Sequence, residues 1–224
     1  MILRKKLGLI HTSATLVAPF QELCQELLPD VHVFNIADDS LIKEVIATGE
    51  LAPNVSWRLA NHVQSAEAAG ADLIMVTCSS VGPAVEASQA FVDVPVVRVD
   101  QAMAEQAIQT GKRIGVVATL PTTLAPTVDL IERRAASAQH SISLASELCE
   151  GAFESLMNGD AATHDRLVRQ KLEQLIESSD VIVLAQASMA RVVDQIPEPL
   201  RQVPILSSPR LAVSSLVPLF GQME

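Results

Sequence analysis

Cys78 stands in the turn Thr77-Cys78-Ser79-Ser80, directly after the apolar run Leu73-Ile-Met-Val76. A thiol among hydroxyls, just ahead of a predicted helix, has the chemistry of an acid/base or a nucleophile. The second half of the chain repeats the setting without the thiol. Aligning Asp72 with Asp180 puts Cys78 against Gln186 and Ser80 against Ser188. The repeat continues at an offset of about 108 residues: Leu7-Gly-Leu-Ile10 matches Ile114-Gly-Val-Val117, and Val94-Pro-Val96 matches Val203-Pro-Ile205. A duplicated chain of this kind predicts two half-domains facing one another across a cleft that holds a single thiol.

The elements that must position these residues alternate. Short apolar runs predict buried parallel strands at 7–11, 31–36, 73–77, 95–98, 114–118, 141–145, 181–185 and 203–206. Helical spacing occupies about 17–28, 40–48, 54–70, 81–91, 101–110, 123–136, 151–157, 160–178, 189–195 and 209–219. Strands apolar on both faces and separated by helices indicate an α/β fold of two pseudo-symmetric parallel-sheet lobes. The predicted lobes are 1–100, with 207–224 crossing back to it, and 101–206.

In open parallel sheets ligands bind beyond the carboxyl ends of the strands. Four predicted loops fall there: His11-Thr12-Ser13-Ala-Thr15, Thr77–Ser80, Ala118-Thr119-Leu-Pro-Thr122-Thr123 and Ala185-Gln186-Ala-Ser188. Hydroxyls with free N–H groups at helix starts form a receptor for a carboxylate; the same residues also serve as ordinary helix caps. His11, ending the first strand, is a candidate acid, base or carboxylate partner because imidazole titrates near neutrality.

Other reactive residues read differently. Cys24 lies on an apolar helix stripe and is assigned to the core. Cys149, beside Glu147 and Glu150, sits near the same edge as the loops and is assigned mainly to packing. His164, next to Asp165, reads as surface, and Asp38-Asp39-Ser40 as a helix cap. Neither metal-ligand spacing nor a glycine-rich phosphate loop is present, so no metal or cofactor is expected.

The chain has 224 residues, 49% of them apolar, and a formal net charge of −10. The acidic balance and the lack of basic clusters argue against nucleic acid as a partner. No apolar run reaches the roughly 18 residues of a membrane span, and the basic N-terminus with its short apolar run reads as a first strand rather than a leader. Three widely spaced cysteines fit a reducing, cytoplasmic setting. The apolar, Ala-rich helix faces leave a homodimer open.

The chain resembles the aspartate/glutamate/hydantoin racemase superfamily, which also contains maleate isomerase and arylmalonate decarboxylase. The resemblance rests on Leu7-Gly-Leu-Ile-His11, Asn35-Ile-Ala-Asp-Asp-Ser-Leu41, Ala71–Gly82, Arg113–Thr119 and Asp180–Ala185. It implies two similar lobes with the active site between them. It also implies a small carboxylate substrate and cofactor-independent proton transfer by two thiols, one per lobe. Cys78 matches the first-lobe thiol, and hydrogen bonds and the helix start are expected to lower its pKa. Gln186 occupies the second-lobe position, and an amide neither takes nor gives a proton. The expectation is therefore an isomerase or racemase with one thiol. In that reading the acid is held by His11, Thr12, Ser13, Ser79, Ser80, Thr119, Thr122, Gln186 and Ser188. A one-thiol decarboxylase of a malonate-like acid and a non-catalytic acid-binding protein are the alternatives.

Overall fold

The computed structural model describes residues 4–193, 195–198 and 202–223. Compact packing divides the chain into two units, Met1–Val99 with Pro209–Glu224, and Asp100–Ser208. Each is built on a four-stranded, all-parallel sheet.

In the first unit, β1 (Lys6–His11), β2 (His32–Ala37), β3 (Leu73–Val76) and β4 (Val96–Arg98) are ordered β2-β1-β3-β4. β1 and β3 are almost wholly buried because helices cover both faces. One face packs under α2 (Asp39–Thr48), α3 (Pro53–Ala68) and α4 (Gly82–Ser88), through Leu41, Val45, Leu59, Val63 and Val85. The other packs under α1 (Val17–Leu27) and the C-terminal helix α10 (Ser208–Gln222), through Phe20, Cys24, Val213 and Leu216. Full burial of such side chains contributes about 1.5–3 kcal/mol each.

The second unit repeats the plan. β5 (Arg113–Ala118), β6 (Ser143–Leu148), β7 (Val181–Leu184) and β8 (Ile205–Ser207) are ordered β6-β5-β7-β8. α5 (Gln101–Thr110), α6 (Pro121–Ser137), α7 (Ala152–Met157), α8 (Ala161–Ile176) and α9 (Ala190–Val193) complete it. The duplication reaches single hydrogen bonds. The Lys6 amide donates to Asp72 Oδ2 (2.7 Å), as the Arg113 amide does to Asp180 Oδ2 (2.9 Å).

Seven of the eight predicted strands lie within two residues of the apolar runs that predict them. β6 is shifted, spanning Ser143–Leu148 rather than 141–145, because pairing begins where the Ser143 amide donates to Lys112 O (2.7 Å). As an edge strand it is only part-buried, and its short apolar run does not mark its limits. The helix predicted at 189–195 is observed as Ala190–Val193; position 194 lies outside the described residues.

Asp38 caps α2 as expected, accepting from the Ser40 amide (3.1 Å), and Gly49 closes that helix at φ 76°. Asp38 also accepts from Arg58 Nη2 (2.7 Å) and His62 Nε2 (2.9 Å). Against the burial that would raise it, bonds from Ser40, His62 and Arg58 hold its carboxyl below the usual range.

Cys24 and Cys149 are both 1% exposed, and burial pushes each thiol up to about 11. A thiol whose pKa is raised by folding keeps its proton longer in the folded chain. Its contribution is complete below the ordinary thiol pKa and is lost as pH rises through the folded one. We expect a stability loss of about 2 kcal/mol per thiol between pH 9 and 11. Urea unfolding at pH 8 and 10.5 reads this, and Cys24→Ala should flatten the dependence by about one proton.

Candidate functional site

The carboxyl ends of the first sheet gather two of the four predicted loops at two neighbouring strands. β1 ends at His11 and β3 at Val76, in adjacent register. Cys78 adopts extended backbone (φ −138°, ψ 118°) and is followed by a 3-10 turn, Ser79–Val81, that runs into α4. Its side chain is half-buried. Thr12, Ser79 and Ser80 are buried beside it, and Ser13 is half-buried, its hydroxyl paired with that of Thr15 (2.8 Å).

The sulfur is surrounded by donors. Burial is the largest influence and raises the Cys78 thiol above its ordinary value. The Thr12 hydroxyl, the Ser80 and Val81 amides and the Ser80 hydroxyl act in the opposite direction. The expected lowering is therefore corrected: removal from water outweighs the turn's hydrogen bonds, and the group rests as a thiol. The same donors stabilise a thiolate once one forms.

His11 is fully buried, with both ring nitrogens occupied. Asn35 donates through Nδ2 to Gln21 Oε1 (3.2 Å), which turns its Oδ1 toward His11 to accept from Nε2–H (2.9 Å). Nδ1 then accepts from the Thr77 hydroxyl (2.8 Å). Phe20 packs on the ring at 5.8 Å. Burial lowers the His11 pKa, with the Asn35 bond acting against it. The imidazole is thus neutral and tied to the residue preceding Cys78, which makes it a support for the turn.

The equivalent turn of the second unit has nearly the same backbone. Gln186 (φ −133°, ψ 137°) follows β7 and precedes a 3-10 turn, Ala187–Met189, leading into α9. Its Oε1 accepts from both the Thr119 amide (2.6 Å) and the Thr119 hydroxyl (2.9 Å). With the oxygen held from two sides, the carboxamide presents its NH2, which has no partner among the described residues. Thr119 is buried, Ser188 is exposed, and the Thr122 hydroxyl, in the first turn of α6, is buried without a partner. The Gln186 and Thr119 loops themselves offer hydrogen-bond donors, and the amide that stands in the place of Cys78 transfers no proton.

Cys149 and its neighbours stand apart in chemistry. The thiol is in the core, Glu147 accepts from Lys171 Nζ (2.7 Å), and Glu150 is exposed. His164 is not on the surface: it is fully buried, one turn before Val168 on the stripe that continues through Leu172 and Leu175. Its Nδ1 lies 2.8 Å from Asp165 Oδ1, and Asp165 accepts from Arg191 (2.8 Å) and Gln195 (2.8 Å), tying α8 to the helix after the Gln186 turn.

Sequence reasoning names Asn35 and Thr77 without giving either a part in holding His11, and passes over Arg98. Arg98, 2% exposed, ends β4. A cation closing the run Val94-Pro-Val-Val97 was the available signal, since a charge is buried only when partnered. Among the described residues no group of three or more His, Cys, Asp or Glu could hold a metal ion. No helix there is long and apolar enough to cross a membrane.

The Asp/Glu/Hydantoin racemase family model matches residues 7–216. The structure is similar to a glutamate racemase isoform from Bacillus anthracis: TM-score 0.74, 19% identity, 97% of this chain and 82% of that one. It is also similar to allantoin racemase from Klebsiella pneumoniae: TM-score 0.71, 20% identity, 96% and 89%. Picrophilus torridus aspartate racemase aligns at TM-score 0.72 with 14% identity, over 97% and 94%. No curated protein sequence matches the chain. At these identities the solved structures speak for the fold, two α/β units each on a four-stranded parallel sheet.

Proposed function

Because the chain belongs to the Asp/Glu/hydantoin racemase family, we propose that it moves a proton alpha to the carboxylate of a small acid, without a cofactor and with Cys78 as the single catalytic thiol. The observation that carries this reading is the contrast between two turns of the same backbone. One holds a sulfur among four donors; the other holds an amide whose oxygen is already taken.

The base is the Cys78 thiolate. It takes the proton from the alpha carbon, and the C–H electron pair moves into the carboxylate as an enediolate. Burial keeps the resting thiol protonated, so the thiolate is a strong base when it forms; Thr12, Ser80 and the Ser80 and Val81 amides limit the cost of forming it. Donors fixed before the reaction then stabilise the enediolate oxygens. We assign that role in the first unit to Ser13 and Ser79, and to Thr12 once the sulfur is a thiol again; the donors the second unit offers a carboxylate are Thr119, Thr122, Ser188 and the Gln186 NH2. His11 acts by holding Thr77. The same sulfur returns a proton, its own or one exchanged with water, to the carbon.

The test is a panel of small 2-substituted acids incubated in D2O and followed by proton NMR. The proposal expects loss of the alpha-proton signal without carbon loss. Release of CO2 from a malonate-like member would instead mark Cys78 as the proton donor of a decarboxylase. Saturable binding with neither exchange nor CO2 would mark an acid-binding protein.

A further inference from the structure

The donors around Cys78 come from a short turn, Ser79–Val81, and something must hold that turn to the sheet. Its far end is Gly82, where a side chain is excluded: a Cβ built there would overlap the Arg98 guanidinium and lie 2.7 Å from its Nε. Arg98 is 2% exposed, and its Nη1 donates to Glu86 Oε1 (2.9 Å), one turn further along α4. Its own backbone is in register with Val76, two residues before Cys78. One residue therefore joins both flanks of the Cys78 turn: its backbone pairs with the strand leading in, and its buried side chain meets the helix leading out.

We propose that Arg98 is a positioning residue for Cys78: its guanidinium, wedged on Gly82 and bonded to Glu86, fixes the start of α4 so that the Ser80 and Val81 amides aim at the sulfur. The planar fork suits this place. It lies flat against a glycine while donating in its own plane, which the tetrahedral ammonium of lysine does not do. Gly82 is small because Arg98 occupies the space its side chain would need. The inference rests on Cys78 being the functional thiol, but its test needs no substrate, so it fails or stands separately from the proposed reaction.

The experiment is the rate of Cys78 alkylation by iodoacetamide against pH, read by mass spectrometry of the Cys78 peptide in the folded protein. Arg98→Met keeps the bulk and removes the fork. The thiolate then loses its aimed amides, and its fraction at pH 8 is expected to fall roughly tenfold, one unit of pKa. Arg98→Lys should restore only part of this. An unchanged profile in folded Arg98→Met, or a shift toward easier ionisation, overturns the proposal. If Arg98→Met does not fold, Glu86→Gln takes its place, since Glu86 is part-exposed and the change keeps its size while removing its charge. It should move the profile in the same direction by a smaller factor, and no movement would again overturn the proposal.

Discussion

Replacing Cys78 with serine is expected to lower alpha-proton exchange by about 100- to 10,000-fold, the range of a positioned general acid/base, while leaving folding intact. The hydroxyl is close in size to the thiol and keeps the hydrogen bonds from Thr12 and the Ser80 and Val81 amides. It does not ionise at any pH the protein survives. Exchange rates for the two proteins on one acid, at matched thermal stability, read the effect. The pH dependence of the wild type follows from the same geometry. Because burial raises the thiol, the thiolate is the minor form near neutrality, and the rate should rise close to tenfold per pH unit until the Cys78 pKa is reached.

The second large effect is on stability. His11→Ala should destabilise the protein by about 3–4 kcal/mol. It removes a fully buried ring packed on Phe20 and leaves Thr77 Oγ1 and Asn35 Oδ1 without the nitrogens they face. The loss comes chiefly from the cavity and the lost ring packing, since Asn35 is exposed to water and the Thr77 hydroxyl still reaches Ile10 O (3.3 Å). Thr77 precedes Cys78, so alkylation of Cys78 should also change in this variant. The acid side follows from the lowered His11 pKa. The unfolded chain takes up a proton at about 6.5, whereas folded His11 does so at lower pH. Its stabilising contribution is complete above 6.5 and is lost as pH falls through the folded value. Denaturant unfolding at pH 7 and pH 5 checks the sign, and His11→Gln should remove that part of the dependence.

The parts of the fold written in apolar runs were readable from sequence, because a strand buried on both faces has no alternative to being apolar throughout. β3 and β7 show this most clearly. The edge strand β6 did not announce its ends, since half its side chains meet water. Around the site, residue types were legible and their directions were not. His11 looked like a ligand for an acid, yet Asn35, distant in sequence, and Thr77 occupy its ring. His164 looked exposed beside Asp165, although helical spacing from Val168 already placed it inward. The sign of the Cys78 shift depended on how much water the fold removes, which a sequence does not count. The amide orientation at Gln186 likewise depended on the two bonds from Thr119.

The central claim is that one thiol works on one face of the substrate carbon. The most direct measurement takes the acid that exchanges fastest, as a single enantiomer, in D2O. Deuterium content is followed by mass spectrometry and configuration by chiral chromatography. The account predicts deuterium at the alpha carbon with the starting configuration kept. Racemisation at the rate of exchange would contradict it, because it would require a second proton donor working on the opposite face.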